Sequence, residues 1–257
     1  MIGAEIVSEH GEAIQWAKKY LVTSLGQHIL SETIIVDTPW SLVYQINTDA
    51  EVIYLKQTPP KLSLEPPTIQ LLQKSGCTHL PDIIATNPHI HCFLMKKCGD
   101  MSLRTLFNGQ IDDQLLIAGI SNYTKIQRTV ELETTELFSL GLPDWRLETF
   151  PLLYKALIGQ EDMLLQDGLT HAELERLSDL VPTCTALCET LSQYKMPETI
   201  GHCDFHGNNL LIDTNNHKIS IIDWGETVIT HPFFSLNGCL WSAVYSSELT
   251  ETAGVYS

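Results

Sequence analysis

The stretch His202–Glu226, HCDFHGNNLLIDTNNHKISIIDWGE, decides how this chain folds. It places His202, Asp204, His206 and Asn209 on a short loop and follows them with the apolar run Leu210-Leu211-Ile212. It then turns on Asp213-Thr214-Asn215-Asn216, returns through Ile219 to Ile222, and ends on Asp223. Two short apolar runs about a turn-rich tetrad predict a β-hairpin. Its open end would bring Asp204, Asn209 and Asp223 together. Taken singly, each of these residues also suits an ordinary polar turn. The joint spacing between flanking apolar strands carries more information than any one of them.

An aspartate, an asparagine five residues on and a second aspartate just past a hairpin are what phosphoryl transfer from MgATP requires. One carboxylate accepts the proton of a substrate hydroxyl, and the other two groups hold Mg²⁺ against the phosphates. The segment resembles the aminoglycoside phosphotransferase and choline kinase family, relatives of the protein kinases. Their catalytic loop reads H-x-D-x-x-x-x-N and their metal aspartate lies in I-D-W or I-D-F, here His202, Asp204, Asn209 and Ile222-Asp223-Trp224. His231-Pro232-Phe233-Phe234-Ser235-Leu236 is similar to a further H-P-F-F-D-L segment, with serine in place of the aspartate. The resemblance is specific over Gly201 to Leu236. It implies Asp204 as the catalytic base, Asn209 and Asp223 as metal ligands, and ATP and Mg²⁺ as cofactors. His202 reads as a structural histidine bracing the loop, since the adjacent carboxylate can accept the proton; His206 and Asn208 read as groups that shape the loop or support the residues at the site, and Trp224 as packing beneath the metal site.

Two alternatives accompany that reading. His202-x-Asp204-x-His206 alternates ligand types that could grip a transition metal, which would make a divalent-metal hydrolase. The same fold could also bind nucleotide without chemistry, although Lys56, Asp204, Asn209 and Asp223 are all retained.

The 257 residues, 44% of them apolar, suffice for one large domain or two lobes. No apolar run approaches a membrane span, and no basic region precedes an apolar one at the N-terminus, so a cytoplasmic protein with no membrane partner is expected. Seven cysteines without a C-x-x-C pair suit reduced thiols better than a disulfide framework. A net charge of −16 argues against a nucleic-acid partner. From Glu131 to Glu198 there are thirteen acidic and four basic residues, whereas Glu51 to Asp100 holds four acidic and five basic ones. The acidic region suits a cationic acceptor, and equally suits solvated helix faces.

Before the hairpin, Glu12 to Ser24 has helical spacing and Gly26 as a stop. Ile34 to Ile46 and Glu51 to Gln57 read as two strands about Asn47-Thr48-Asp49. By resemblance Lys56, in Val52-Ile53-Tyr54-Leu55-Lys56, steadies the phosphates. No G-x-G-x-x-G precedes it. The covering loop, Asp37 to Tyr44, would contact phosphate through Ser41 or Thr38. Glu65 stands before Pro66-Pro67 at a helix start, where an acid suits the helix dipole. The resemblance makes it the ion-pair partner of Lys56. Leu80 to Ile84 and His91 to Met95 read as two more strands. The backbone of Met95 to Lys97 would meet the adenine edge at a hinge.

Asp112 to Tyr194 is helical almost throughout, with a capping box at Thr170-His171-Ala172-Glu173. It lies where the resembled enzymes build their acceptor site and carries no substrate signature. The expected architecture is therefore an α+β, two-lobed protein kinase-like fold with a small mixed sheet lobe and a larger, mainly helical lobe. Residues 1–95 form the nucleotide-binding lobe, 96–99 the hinge and 100–257 the catalytic and substrate lobe. The last would be short at its end, because the resemblance implies further closing helices. The expected function is an ATP-dependent phosphotransferase acting on a hydroxyl of a small molecule, aminoglycoside-, choline- or amino-alcohol-like. The sequence is silent on the oligomeric state.

Overall fold

The computed structural model describes residues 2–246, with the side chains of residues 2–10 left aside. The chain opens with helix α1 (Ile2–Leu25), then strands β1 (Ile29–Thr38), β2 (Ser41–Thr48) and β3 (Val52–Gln57). Helix α2 (Glu65–Lys74) precedes β4 (Ile83–Asn87) and β5 (Cys92–Lys96). These five strands form one antiparallel sheet in the order β1-β2-β3-β5-β4. The period of two along β3 sends Ile53 and Leu55 to one face, against Ala13, Ile14, Ala17 and Leu21 of α1. Burying Ile14 and Leu21 there contributes about 1.5–3 kcal/mol each. Lys56 belongs to the opposite face and looks away from α1.

Three expectations for this lobe need correcting. The run Ile34 to Ile46 is two strands, not one, because Pro39 and Trp40 form a turn that is closed by Thr38. Here Thr38 Oγ1 donates to the Ser41 carbonyl and accepts from the Ser41 N–H. The fourth strand starts at Ile83, since Leu80 and Pro81 lie in the buried approach to it. Helix α1 begins at Ile2, ahead of the amphipathic stretch that starts at Glu12.

After the sheet come β6 (Met101–Ser102), α3 (Leu103–Phe107), α4 (Asp113–Val130), α5 (Thr134–Ser139) and β7 (Asp144–Trp145). Four helices follow, α6 (Phe150–Ile158), α7 (Glu161–Gln166), α8 (His171–Asp179) and α9 (Val181–Ser192). Then β8 (Thr199–His202), β9 (Leu210–Ile212), β10 (Ile219–Ile221), β11 (Thr227–Thr230) and α10 (Phe234–Tyr245) complete the described part. Strands β9 and β10 form the hairpin expected of the opening stretch, with Ile219 opposite Ile212, and β6 joins its other edge. Strand β11 pairs antiparallel with β8 and parallel with β7. Asp112 caps α4 by accepting from Gln114 and Leu115, and the capping box of α8 is formed by Thr170 and Glu173 as expected. Ile69 and Leu72 of α2 pack into the core shared with Leu116, Ile126, Leu210 and Trp224. Helix α2 is thereby tied to the helical part as well as to the sheet.

Candidate active site

The candidate side chains are brought together from several elements. Lys56 comes from β3 and is 5% exposed; Glu65, the first residue of α2, is 1% exposed. The Lys56 Nζ lies 2.6 Å from Glu65 Oε2 and 2.6 Å from Asp223 Oδ1. Burial alone would push the ammonium down, but the two carboxylates hold it above its ordinary range. Glu65 turns its second oxygen to the Trp224 N–H at 3.2 Å. It thus fixes the residue that follows Asp223 as well as the lysine in front of it. Asp223 has φ 67° and ψ 53°, a left-handed conformation that aspartate tolerates better than most residues. Trp224 is fully buried, and its indole N–H donates to the Ile221 carbonyl.

On the catalytic loop, Asn209 Nδ2 donates to the Asp204 carbonyl at 2.8 Å and to Asp204 Oδ2 at 2.7 Å. Both amide hydrogens are used, which leaves the Asn209 oxygen for a cation. Burial pushes the Asp204 carboxyl up, but hydrogen bonds from His206 and Asn209 bring it below its ordinary range, so it is ionised at neutral pH. The strand that delivers this loop is held from behind. The His202 N–H meets the Tyr123 hydroxyl at 2.9 Å and the Ser235 hydroxyl at 3.0 Å, and Gln127 donates to the Ile200 carbonyl at 3.1 Å. Gly201 leaves room for β11, since a Cβ there would lie 2.4 Å from Thr230 Cγ2.

These groups open on two adjoining spaces. A cleft of about 420 Å³ lies between the sheet and the hairpin, lined among others by Tyr54, Lys56, Met95, Asn209 and Asp223. A cavity of about 240 Å³ continues from it and is lined by Asp204, Asp223, Glu226 and Thr58. Trp40, Ser41 and Asp223 belong to both. The structure therefore brings together Lys56, Glu65, Asp204, Asn209 and Asp223, with Ser41 above them and Met95 at the back of the cleft. Lys97 is different. Its N–H donates to the Val52 carbonyl, and its ammonium pairs at 2.6 Å with Asp100, which itself lines the cleft. Cys98 and Gly99 line the cleft in its place.

Two features went unread in the sequence. Glu226 joins Asp204 and Asp223 in the smaller cavity; burial and those two carboxylates push its own carboxyl up. Its signal was only an acid three residues after Asp223. Beside the loop, Trp145, Phe150, Cys203, Phe233 and Phe234 line an aromatic cavity of about 490 Å³. No spacing in the sequence announces that cavity, because its walls come from β7, α6, β8 and the approach to α10.

The hydrolase alternative does not match the geometry. His202 is buried and donates from Nε2 to the Ile222 carbonyl at 2.8 Å, away from Asp204, and burial keeps its ring neutral by lowering its pKa. Among the described residues no group of three or more His, Cys, Asp or Glu side chains is placed to hold a metal ion. The hard-oxygen pair Asp223 and Asn209 fits a cation of the magnesium type, which completes its shell with phosphates and water.

A sheet lobe over a helical part, with a buried lysine–glutamate pair facing the end of the β9–β10 hairpin, defines a protein kinase-like fold. The model of the phosphotransferase enzyme family matches residues 41–256, and the chain belongs to that family. Among solved structures, wild-type aminoglycoside 2′-phosphotransferase-IIIa with GDP superposes with a TM-score of 0.61 at 16% identity, over 87% of this chain and 76% of that one. The streptomycin–ATP ternary complex of APH(2″)-IIa gives 0.59 at 16% identity, over 90% and 73%. A choline/ethanolamine kinase family protein from Mesorhizobium loti gives 0.60 at 15% identity, over 94% and 72%. No curated protein matches the chain significantly. Among the described residues no helix is long and apolar enough to cross a membrane.

Proposed function

We propose that this protein transfers the γ-phosphoryl group of MgATP to a hydroxyl of a small molecule. The observation that carries the reading is the common opening of Asp204 and Asp223 on one cavity, with Lys56 held 2.6 Å from Asp223 where that cavity meets the larger cleft. The structural neighbours include complexes with ATP or GDP and, in one case, streptomycin, which supports a nucleotide donor and a small polar acceptor. In this reading the Asp204 carboxylate accepts the acceptor's proton, and Lys56 exchanges its Asp223 contact for the donor's phosphates while Glu65 keeps it in place. Asp223 and the Asn209 oxygen hold magnesium, which supplies charge neutralisation along the phosphates when bound. Ser41 covers the phosphates, and Cys98 and Gly99 offer backbone groups to the base edge beside Met95. An acceptor body would lie against Cys203 and the aromatic cavity, under an acidic helical region that favours a cation. The same reading makes the protein cytoplasmic.

Thermal shift with MgATP and MgGTP, combined with a panel of aminoglycosides, choline, amino alcohols and sugars, tests this. A nucleotide-dependent shift with turnover of at least one acceptor is expected. Asp204→Ala should lower turnover by roughly 10²- to 10⁴-fold while preserving the shift. Turnover unchanged in that variant removes Asp204 from the chemistry. A shift without turnover on any acceptor would make the chain a nucleotide-binding protein.

A further inference from the structure

Both histidines of the His202-Cys203-Asp204-Phe205-His206 segment are near Asp204 in sequence, and they do different things. His202 is spent on the Ile222 carbonyl. His206 sits with Nε2 2.9 Å from Asp204 Oδ1, while its Nδ1 lies 3.2 Å from the backbone N–H of Asn208. A backbone N–H can only donate, so Nδ1 must present a lone pair. The ring proton is therefore on Nε2 and points at Asp204. Asn209 holds the other carboxylate oxygen. The carboxylate is clamped at both oxygens, each keeping a lone-pair direction, and its side chain is still 45% exposed. It opens on the cavity where an acceptor hydroxyl would arrive.

We propose that His206 is a positioning residue: as a neutral Nε2–H donor with its tautomer set by Asn208, it holds the Asp204 carboxylate in the plane that receives the acceptor hydroxyl. This rests on the phosphotransfer reading of Asp204. Alignment of a base is worth much in a reaction limited by positioning, and a misplacement of about 1 Å costs on the order of 10²-fold. The bland alternative is a histidine that only braces the loop through Asn208.

Two amides separate these roles, because asparagine places its oxygen near Nδ1 and glutamine places its nitrogen near Nε2. His206→Gln keeps a donor for Asp204, and His206→Asn keeps only the acceptor for Asn208. Expected for His206→Asn and His206→Ala is a loss in kcat of about 10- to 100-fold with the KM for MgATP changed less than about threefold, and for His206→Gln a kcat within about threefold of the parent. The reverse order, equal loss in all three, or no loss in any overturns the proposal. A second arm needs no turnover and so separates this proposal from failure of the phosphotransfer reading. In ¹⁵N-histidine NMR of the whole chain at about pH 8, the resonance missing in His206→Gln should report a neutral ring protonated at Nε2. Asp204→Ala should move its Nε2 signal and leave Nδ1 in place. A ring protonated at Nδ1, or an Nε2 signal indifferent to Asp204→Ala, overturns it.

Discussion

The seam between sheet and hairpin and the helical region from α6 to α9 are built from opposite materials. At the seam, Lys56 and Glu65 are almost wholly removed from water and meet Asp223, from the far end of the sequence, in a chain of 2.6 Å contacts. In the helical region the neighbouring elements are close in sequence, and Leu152, Leu157 and Leu187 are 69%, 46% and 60% exposed. A buried charge without its partner is costly, so the seam has one acceptable arrangement. Apolar side chains at a half-open face can shift with little penalty. The seam is thus tightly constrained, while the helical face is free to differ.

The largest effect expected from breaking this contrast is at the seam. Lys56→Met leaves Glu65 buried without its cation and should destabilise the protein by about 3–5 kcal/mol, read from urea unfolding, and also remove turnover. Adding Glu65→Gln should recover most of the stability and none of the turnover, because the chemistry needs the lysine, whereas the fold needs a neutral group that still accepts from the Trp224 N–H. Stability within about 1 kcal/mol of the parent for Lys56→Met would mean that the seam is not held by charge.

A smaller effect sharpens the same side. The ordinary histidine value is 6.5, and burial lowers that of His202 in the folded state, so the unfolded chain takes up the proton first. Stability from this group is complete above 6.5 and is lost as pH falls from there towards the folded-state value. His202→Gln should flatten that part of the profile of unfolding midpoint against pH; an unchanged slope would assign it to other groups. The smallest effect belongs to the helical face: Leu187→Ser should change stability by no more than about 0.5 kcal/mol. A cost above about 2 kcal/mol would show that this face is packed after all.

The hairpin and its polar ends were legible because both strands, the turn and the three candidate side chains lie within one short stretch. Lys56 and Glu65 were picked out by the resemblance, as a lysine late in a strand and an acid at a helix start, and the structure pairs them at 2.6 Å. The boundary between β1 and β2 was not, since Ile34 to Ile46 is continuously strand-like and only the pair Pro39-Trp40 breaks it. For Lys97 the sequence could not say where the backbone N–H is spent, because side-chain identity is silent on that; Val52, on the neighbouring strand, takes it. The residues steadying the catalytic strand, Tyr123, Gln127 and Ser235, are ordinary core or helix positions in the sequence and gain their role only through α4 and α10.

Local order, then, follows from the chain alone: alternation makes the strands, caps and prolines begin the helices, and turn residues close the hairpin, all through contacts within a few residues. Which carboxylate meets Lys56, which of two histidines touches Asp204, and what lines the space beside the loop were settled by packing. Those contacts span up to 167 positions between Lys56 and Asp223, and they depend on how α2, the sheet and the hairpin share buried surface. Periodicity places a side chain on a face; only the folded neighbours decide what that face meets.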